Sequence, residues 1–524
     1  MLRRQDAVEA LRGGGGGKGA SILLRRVSVP RACLVDETLK AAADAEGVVS
    51  CDVTLSGGTV SSVSLASSSS SSSTCSDAVV LEAKGAMLWP AFVDAHTHLC
   101  KTHAVPRCRN PSGSINDALA CEVTDQPRWN SPDVGSDGHD VARRMDFALR
   151  SSLHHGTRAA RTHLDGTQSP DKALRDHIYT VYDDMRDKYG ALGFTLQGVA
   201  NLYLPLYLDS TLAERHASEA AAHQGVVLGA YCGDVSHNEE GATDAALDAL
   251  FVLAAKHGLD VDLHIDETNN PACCGVAVLC RALERARKNL GYGGVVVLGH
   301  VSSLALQESD VQSDVVNKLA ALQPVTVVCN PFTNLGLQDR RGTQEPIGVT
   351  IPKDEPRTPK WRGLTLLQEL RAAGVPVAAA SDNVRDWWHP YGDYDCLAVW
   401  REAVAMGHLD TAPCEGDWAD LVTSAAAAAM RVGGGGGGGD NLSGTIARGA
   451  AADLVLFPGA RRFSELLARP QTDRVVIRRG APREDTELPE YSELDDLIDG
   501  WSTTVDTSQR ILRGATTIVT TTKV

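Results

Sequence analysis

The sequence predicts an α/β protein, a (β/α)8 TIM barrel joined to a small β-sandwich domain formed by both chain ends. Three observations predict it. Apolar strand-like runs alternate with helical stretches from about Trp89 onward, shorter alternating runs flank them on both sides, and several central runs close on His, Glu or Asp. The 524 residues suit one large barrel with a smaller companion.

Before Met87, SILLRRVSVPRACLV and VVSCDVTLSGGTVSSVSLA alternate apolar and polar residues between turn signals, the pattern of short antiparallel strands. The barrel runs are AFVDAHTHL, AARTHLDG, FTLQGVANLYL, GVVLGAYCG, VDLHIDE, GVVVLGHVS, VTVVCN and VPVAAASDN. Stretches such as AALDALFVLAAKHG and LTLLQELRAAG separate them as helices would. ADLVLFPG and DRVVIRRG then return to short strands. The expected division is 20–86 with 445–480 as the β domain, 87–444 as the barrel, and 481–524 as an extension without a structural assignment. Glycine tracts at 13–17 and 433–439 and a serine run at 67–73 read as loops or linkers.

A net charge of −16 disfavours a polynucleotide partner, whose binding needs clustered Lys and Arg. No apolar run of about 18 residues spans a bilayer, and the N-terminus lacks the apolar core of a secretory signal. The expectation is a soluble cytoplasmic protein acting on a free small molecule, with neither nucleic acid nor membrane as partner. An organelle-targeting role for the Arg-bearing N-terminus stays open, although Asp6 and Glu9 count against it. The 13 cysteines form no dense framework, and the adjacent Cys273 and Cys274 do not match a zinc-knuckle spacing, so they read as mostly reduced thiols.

The polar strand ends carry the chemistry. His96 and His98 lie two apart and so project from one face of a strand, where they can share a cation. Alone that pair says little, since two histidines fall at this spacing by chance. His264 closes the fifth run with Glu267 three residues on, His300 closes the sixth, and Asp382 the eighth. A barrel gathers these ends at one mouth, and that convergence favours a metal centre over separate structural histidines. Imidazoles with a carboxylate suit zinc or ferrous iron and leave room for water, whose pKa such a cation lowers to about 7. The fourth run offers no lysine for a carbamylated bridge, which favours one metal ion.

The chain resembles the amidohydrolase superfamily, and within it the cytosine deaminase branch. The resemblance rests on MLWPAFVDAHTHLCKTH, AARTHLDG, VDLHIDETNN, VVLGHVSSL, VCNPFTNLGLQDRRGTQEPIGVT and SDNVRDWWHPYGDYD, across about residues 86–400. It implies that His96, His98, His264 and Asp382 bind one catalytic iron or zinc. It further implies that Glu267 shuttles protons to a ring nitrogen, that His300 steadies the attacking water and the tetrahedral centre, and that Asp382 takes the water's proton. A homo-oligomer is implied by the same resemblance. The implied activity is deamination of cytosine or a closely related pyrimidine to the oxo product and ammonia, hydrolysis of a carbon–nitrogen bond other than a peptide bond.

Other residues carry weaker readings. His163, with Asp165, fits either the pocket lining or support for a ligand, and Lys101 and His103 fit either the mouth or a solvated loop. Trp387 and Trp388 fit stacking on a flat ring or lid packing. Asn330 and Asn334 are expected to fix the seventh loop, with Gln338, Asp339 and Arg340 as gate residues. Two departures bear on substrate. Bacterial cytosine deaminases place a glutamine after the third strand, where this chain has NLYLPLYL, so Tyr203 or a neighbour would substitute. They carry a second aspartate after the metal-binding one, where Asn383 stands here, able to donate and accept but not to supply charge. Isocytosine or another cyclic amidine or amide is therefore the alternative substrate. A noncatalytic scaffold ranks below both, because the ligand set is complete.

Overall fold

Two eight-stranded sheets organise the chain. In chain order the strands are β1 (Ile22–Pro30), β2 (Val48–Ser56), β3 (Thr59–Leu65), β4 (Val79–Glu82), β5 (Met87–Pro90), β6 (Phe92–Thr97), β7 (Thr157–His163) and β8 (Thr195–Tyr203). There follow β9 (Val226–Tyr231), β10 (Val261–Ile265), β11 (Val296–His300), β12 (Val325–Cys329), β13 (Val377–Ala379), β14 (Leu454–Phe457), β15 (Val475–Arg478) and β16 (Ala481–Pro482). The computed structural model describes residues 2–15, 21–67, 78–129, 140–235, 241–339, 358–411, 415–433, 443–483 and 487–498.

Strands β6 to β13 pair in sequence order and in parallel, as the eight apolar runs require. Their residues are almost all buried because helices cover the outside, which is why they read as continuous apolar runs rather than alternating ones. Asp171, Asp209 and Asp395 cap three of those helices by accepting backbone N–H bonds at Ala173, at Thr211 and Leu212, and at Leu397. The ring closes through a parallel bridge from Thr97 to Asp382, where the Asp382 N–H donates to the His96 carbonyl at 2.9 Å. Beside that bridge Asp94 accepts from the Ser381 N–H at 3.0 Å and from its hydroxyl at 2.5 Å. Below, small inward residues (Val93, Ala95, Ala159, Val328, Ala378) pack against Ala426, Ala427 and Ala429 of the helix Ser424–Ala429 and fill the floor. The floor also holds a buried charged pair, with Arg161 donating to Asp262 at 2.9 Å and to the Ala429 carbonyl at 3.2 Å.

The second sheet draws strands from both chain ends in the order β16-β15-β14-β5-β1-β2-β3, with β4 also on β1. β1 passes its second edge from β4 to β5 across a register shift between Leu24 and Val27, with Arg26 at φ +56°. Met87–Pro90 pairs with β14 inside this sheet and the barrel ladder begins at Phe92, so a division at residue 87 falls within the end sheet; β16 likewise carries that sheet past residue 480. The reason is Trp89, fully buried, whose ring meets Phe92, Trp400, Phe457 and Phe463 edge-on at 5.1–6.4 Å and fills the seam between the sheet and the barrel.

Both chain ends add to these units. A helix Arg4–Gly15 buries Ala7, Val8 and Leu11 and runs through Gly13 into the tract expected as a linker. Most of the serine run and of the second glycine tract lies outside the described residues. Part of the extension forms a 3-10 helix, Tyr491–Leu497, which packs Leu494 and Leu497 on Phe147 and pairs Glu493 with Arg150 at 2.6 Å. The eleven described cysteines are free thiols. Among the described residues no helix is long and apolar enough to cross a membrane.

Candidate active site

Each polar strand end turns its side chain into the mouth. His96 is the fifth residue of β6 and His98 follows its end; the β6–β7 register shifts between Asp94 and Thr97, and past that irregularity both imidazoles meet at the mouth. His264 stands on β10, while His300 at the end of β11 (φ +75°) and Asp382 beyond β13 (φ +58°) sit in the left-handed region. That backbone is costly for residues with a Cβ, of order 1–3 kcal/mol each, and recurs where a side chain must be aimed. Gly299 makes room for the His96 ring, since a Cβ there would lie 2.8 Å from His96 Cε1.

Four side chains converge on one point. His98 Nε2 lies 3.1 Å from His264 Nε2, and Asp382 Oδ1 lies 3.4 Å from both His96 Nε2 and His98 Nε2. Four donors around a tetrahedral cation at about 2.0–2.2 Å stand roughly 3.4 Å apart. His96 Nε2 and both Asp382 oxygens are buried without a hydrogen-bond partner among the described residues. A buried carboxylate with neither oxygen hydrogen-bonded, facing imidazole nitrogens at 3.4 Å, fits a divalent cation. His163 also lies within this histidine group, but its nitrogens face His96 Nδ1 at 3.1 Å and the Asn201 amide at 2.9 Å.

The charge states of three of the four suit a cation. Burial and the neighbouring imidazoles hold His264 well below its usual range, and burial brings His96 down to about 4, so both offer a lone pair. Burial and Lys101 oppose the charged form of His98, but Asp165 and Asp382 prevail and raise it to about 9. Burial works against the Asp382 carboxylate too, yet His96 and His98 outweigh it and hold it well below the carboxylate range. Burial raises Glu267, whose Oε1 lies 3.4 Å from His300 Nδ1.

Around this cluster lies a ring of oriented groups. His98 Nδ1 meets Asp165 Oδ2 at 3.0 Å, and the fully buried Lys101 spans Asp165 Oδ1 at 3.5 Å and Glu122 Oε2 at 3.0 Å. Trp388 Nε1 donates to the same Glu122 oxygen at 3.3 Å. Asn383 donates to Asp386 Oδ2 at 2.9 Å, and Asp386 Oδ1 accepts the Trp388 and His389 N–H groups. Asn330 and Asn334 stand 3.3–3.4 Å from His300 Nδ1. Gln338 donates to Ser302, while Asp339 accepts the Trp361 N–H at 3.0 Å; Arg340 is outside the described residues.

The structure thus brings His96, His98, His264, Asp382, Glu267, His300 and His163 together; Trp388 reaches them only through Lys101 and Asp165, and the Asn383 amide is bonded to Asp386. Tyr203 stands apart, 41% exposed, its ring 6.2 Å from Tyr231, which in turn lies 6.4 Å from His264. Trp387 is packed inside the protein. His103 lies on the far side of its loop, stacked on Tyr491 at 5.2 Å and accepting from Arg385 Nε. Sequence reasoning missed Asp94, Glu122, Asn201 and Asp386. Only Asp94 left a signal, its place two residues before His96 in the run AFVDAHTHL.

Comparison with known proteins agrees with this geometry. Residues 203–491 match the amidohydrolase family. The chain is 36% identical over 480 residues to a pterin deaminase of Rhizobium rhizogenes, covering 91% of this chain and 97% of that one. Its fold resembles a solved 5-methylcytosine deaminase from Klebsiella pneumoniae (TM-score 0.65, 20% identity, 90% of this chain and 100% of that chain). It also resembles an N-isopropylammelide isopropylaminohydrolase from Burkholderia multivorans (TM-score 0.59, 22% identity, 88% and 98%). Fold and site together define a metal-dependent hydrolase of carbon–nitrogen bonds. The chain belongs to the amidohydrolase family.

Proposed function

We propose that this protein deaminates a pterin, exchanging the amino group of its 2-amino-4-oxopyrimidine ring for oxygen and releasing ammonia. The observation that carries the reading is the 36% identity to a pterin deaminase along 91% of the chain. The pyrimidine half of a pterin has the isocytosine pattern, and isocytosine stood beside cytosine in the sequence reading because of Asn383 and the altered third strand. The whole-length relative moves the preferred substrate from cytosine to that ring.

His96, His98, His264 and Asp382 would hold the cation. When bound, zinc or ferrous iron supplies Lewis acidity that lowers the pKa of a water to about 7. The protein's own groups move the protons. Asp382, ionised beside two imidazoles, accepts one from the attacking water. Glu267, its carboxyl raised by burial, carries the protons: it gives one to the ring nitrogen beside the attacked carbon and relays another to the departing amine. His300 donates toward the oxygen that develops charge, its ring held by Asn330 and Asn334. Atoms balance as amine plus water giving oxo product plus ammonia.

The test incubates zinc- and iron-loaded protein with pterin, isocytosine and cytosine in parallel and measures ammonia and the ring product. Ammonia with the 2,4-dioxo product from pterin is expected. Release from cytosine alone would return the substrate to a 4-aminopyrimidine, and silence on every ring with metal bound would remove the heterocyclic amine from the account.

A further inference from the structure

Three residues form a file leading away from the cation site into the barrel. His96 presents Nε2 to the site and Nδ1 to His163 Nε2 at 3.1 Å; His163 presents its other nitrogen, Nδ1, to the Asn201 side-chain amide at 2.9 Å. His96 and His163 are 0% exposed and Asn201 is 8% exposed. A neutral imidazole has one N–H and one lone pair, so the choice at either end of this file fixes every proton along it.

Two directions are possible. In one, the Asn201 NH2 donates to His163 Nδ1, His163 Nε2–H donates to His96 Nδ1, and His96 carries its proton on Nε2, facing Asp382 Oδ1 at 3.4 Å. His96 then has no lone pair for a cation. In the other, His96 Nδ1–H donates to His163 Nε2, His163 Nδ1–H donates to an amide oxygen, and His96 Nε2 is free to ligate. The second direction requires the Asn201 oxygen where its nitrogen now stands. Asn201 Oδ1 is buried without a hydrogen-bond partner, so the present orientation leaves that oxygen unused. The two ends of an amide are nearly isosteric, and half a turn about the last side-chain bond exchanges them in place.

We infer that Asn201 is a positioning residue for the metal centre, its amide turning to accept from His163 Nδ1 and so holding His96, through His163, in the tautomer that binds the cation. Of the two directions, only the one that starts from an acceptor at Asn201 leaves His96 Nε2 free for a cation. An acceptor is all the metal-bound direction needs, so a side chain that only accepts serves as well as the amide. One that neither accepts nor donates leaves His163 free to present the wrong edge to His96. Outer groups that fix a ligand's tautomer are worth about 10–100-fold in metal affinity. The inference rests on the cation reading of the mouth and is independent of which ring is the substrate.

The test labels histidine side chains with 15N and compares the full-length protein with and without one equivalent of zinc, assigning His163 by its loss in His163→Gln. With zinc, His163 is expected protonated on Nδ1 and bare on Nε2. Zinc bound with His163 protonated on Nε2 would overturn the inference, and failure of zinc to bind would overturn the cation reading beneath it. Zinc affinity gives a second reading in variants whose thermal melts show a retained fold. Asn201→Leu should bind about 10–100-fold more weakly and Asn201→Asp should match the wild type. Unchanged affinity in Asn201→Leu, or equal losses in both, would overturn it.

Discussion

Buried carboxylates are treated in opposite ways at the seam between the two sheets and at the barrel mouth. At the seam, Asp453 accepts Arg158 Nε at 2.7 Å on one oxygen and the Arg479 N–H at 2.8 Å on the other. Asp395 accepts Arg474 on both oxygens at 2.7 Å and caps a helix through the Leu397 N–H. At the mouth, Asp382 is 0% exposed and neither oxygen has a hydrogen-bond partner among the described residues. A carboxylate whose oxygens are answered within the protein is part of the scaffold. One left unanswered among imidazole lone pairs is held for something that arrives.

The largest effects should come from the mouth. Asp382→Ala and His264→Ala are expected to abolish metal retention and turnover together while the fold persists, checked by metal content, ammonia release and circular dichroism. Glu267→Gln sharpens the division within the mouth: it should keep the metal and lose about 10²–10⁴-fold in kcat, the usual share of a positioned proton carrier.

At the seam the same chemistry should appear as stability. Asp395→Asn leaves Arg474 without its counter-charge and should cost about 3 kcal/mol in denaturant melts, with metal content unchanged. Burial raises the Asp395 carboxyl, but Arg474 and His155 overcome it and bring it down to about 2. Its pKa folded lies below the value near 3.9 of an unfolded chain, so its contribution is complete above about pH 4 and is lost as pH falls toward 2. The stability gap between wild type and Asp395→Asn should therefore narrow over that window; a constant gap would contradict the assignment. The smallest effect belongs to the extension. Tyr491→Ala removes a ring stacked on His103 and covered by Arg385 at 4.1 Å, with an expected loss of about 1 kcal/mol in a thermal melt and no loss of metal.

This contrast also marks what sequence could reveal. The meeting of the polar strand ends was legible because barrel topology converts them into neighbours: once the runs ending in His96, His264, His300 and Asp382 are strands, their gathering at one mouth follows. The groups that orient them were not, because nothing local announces that Glu122 meets Lys101, that Asn201 meets His163, or that Asp94 meets Ser381 across most of the chain. Three polar residues in VDLHIDE show the limit. His264 joins the ligands and Glu267 faces His300, while Asp266 accepts from the Val276 N–H and serves the next helix. Spacing alone ranks them alike. The place of β5 was obscure for a related reason: MLWP is apolar enough for either sheet, and the aromatic partners that decide for the end sheet lie near residues 400 and 460.

The most direct measurement counts divalent metal bound per chain, after zinc loading and dialysis, in the wild type, Asp382→Ala and Asp395→Asn. The account predicts one ion in the wild type, none in Asp382→Ala, and one in Asp395→Asn despite its lower stability. A full complement in Asp382→Ala, or its loss from a folded Asp395→Asn, would contradict the division of the buried carboxylates into scaffold and site.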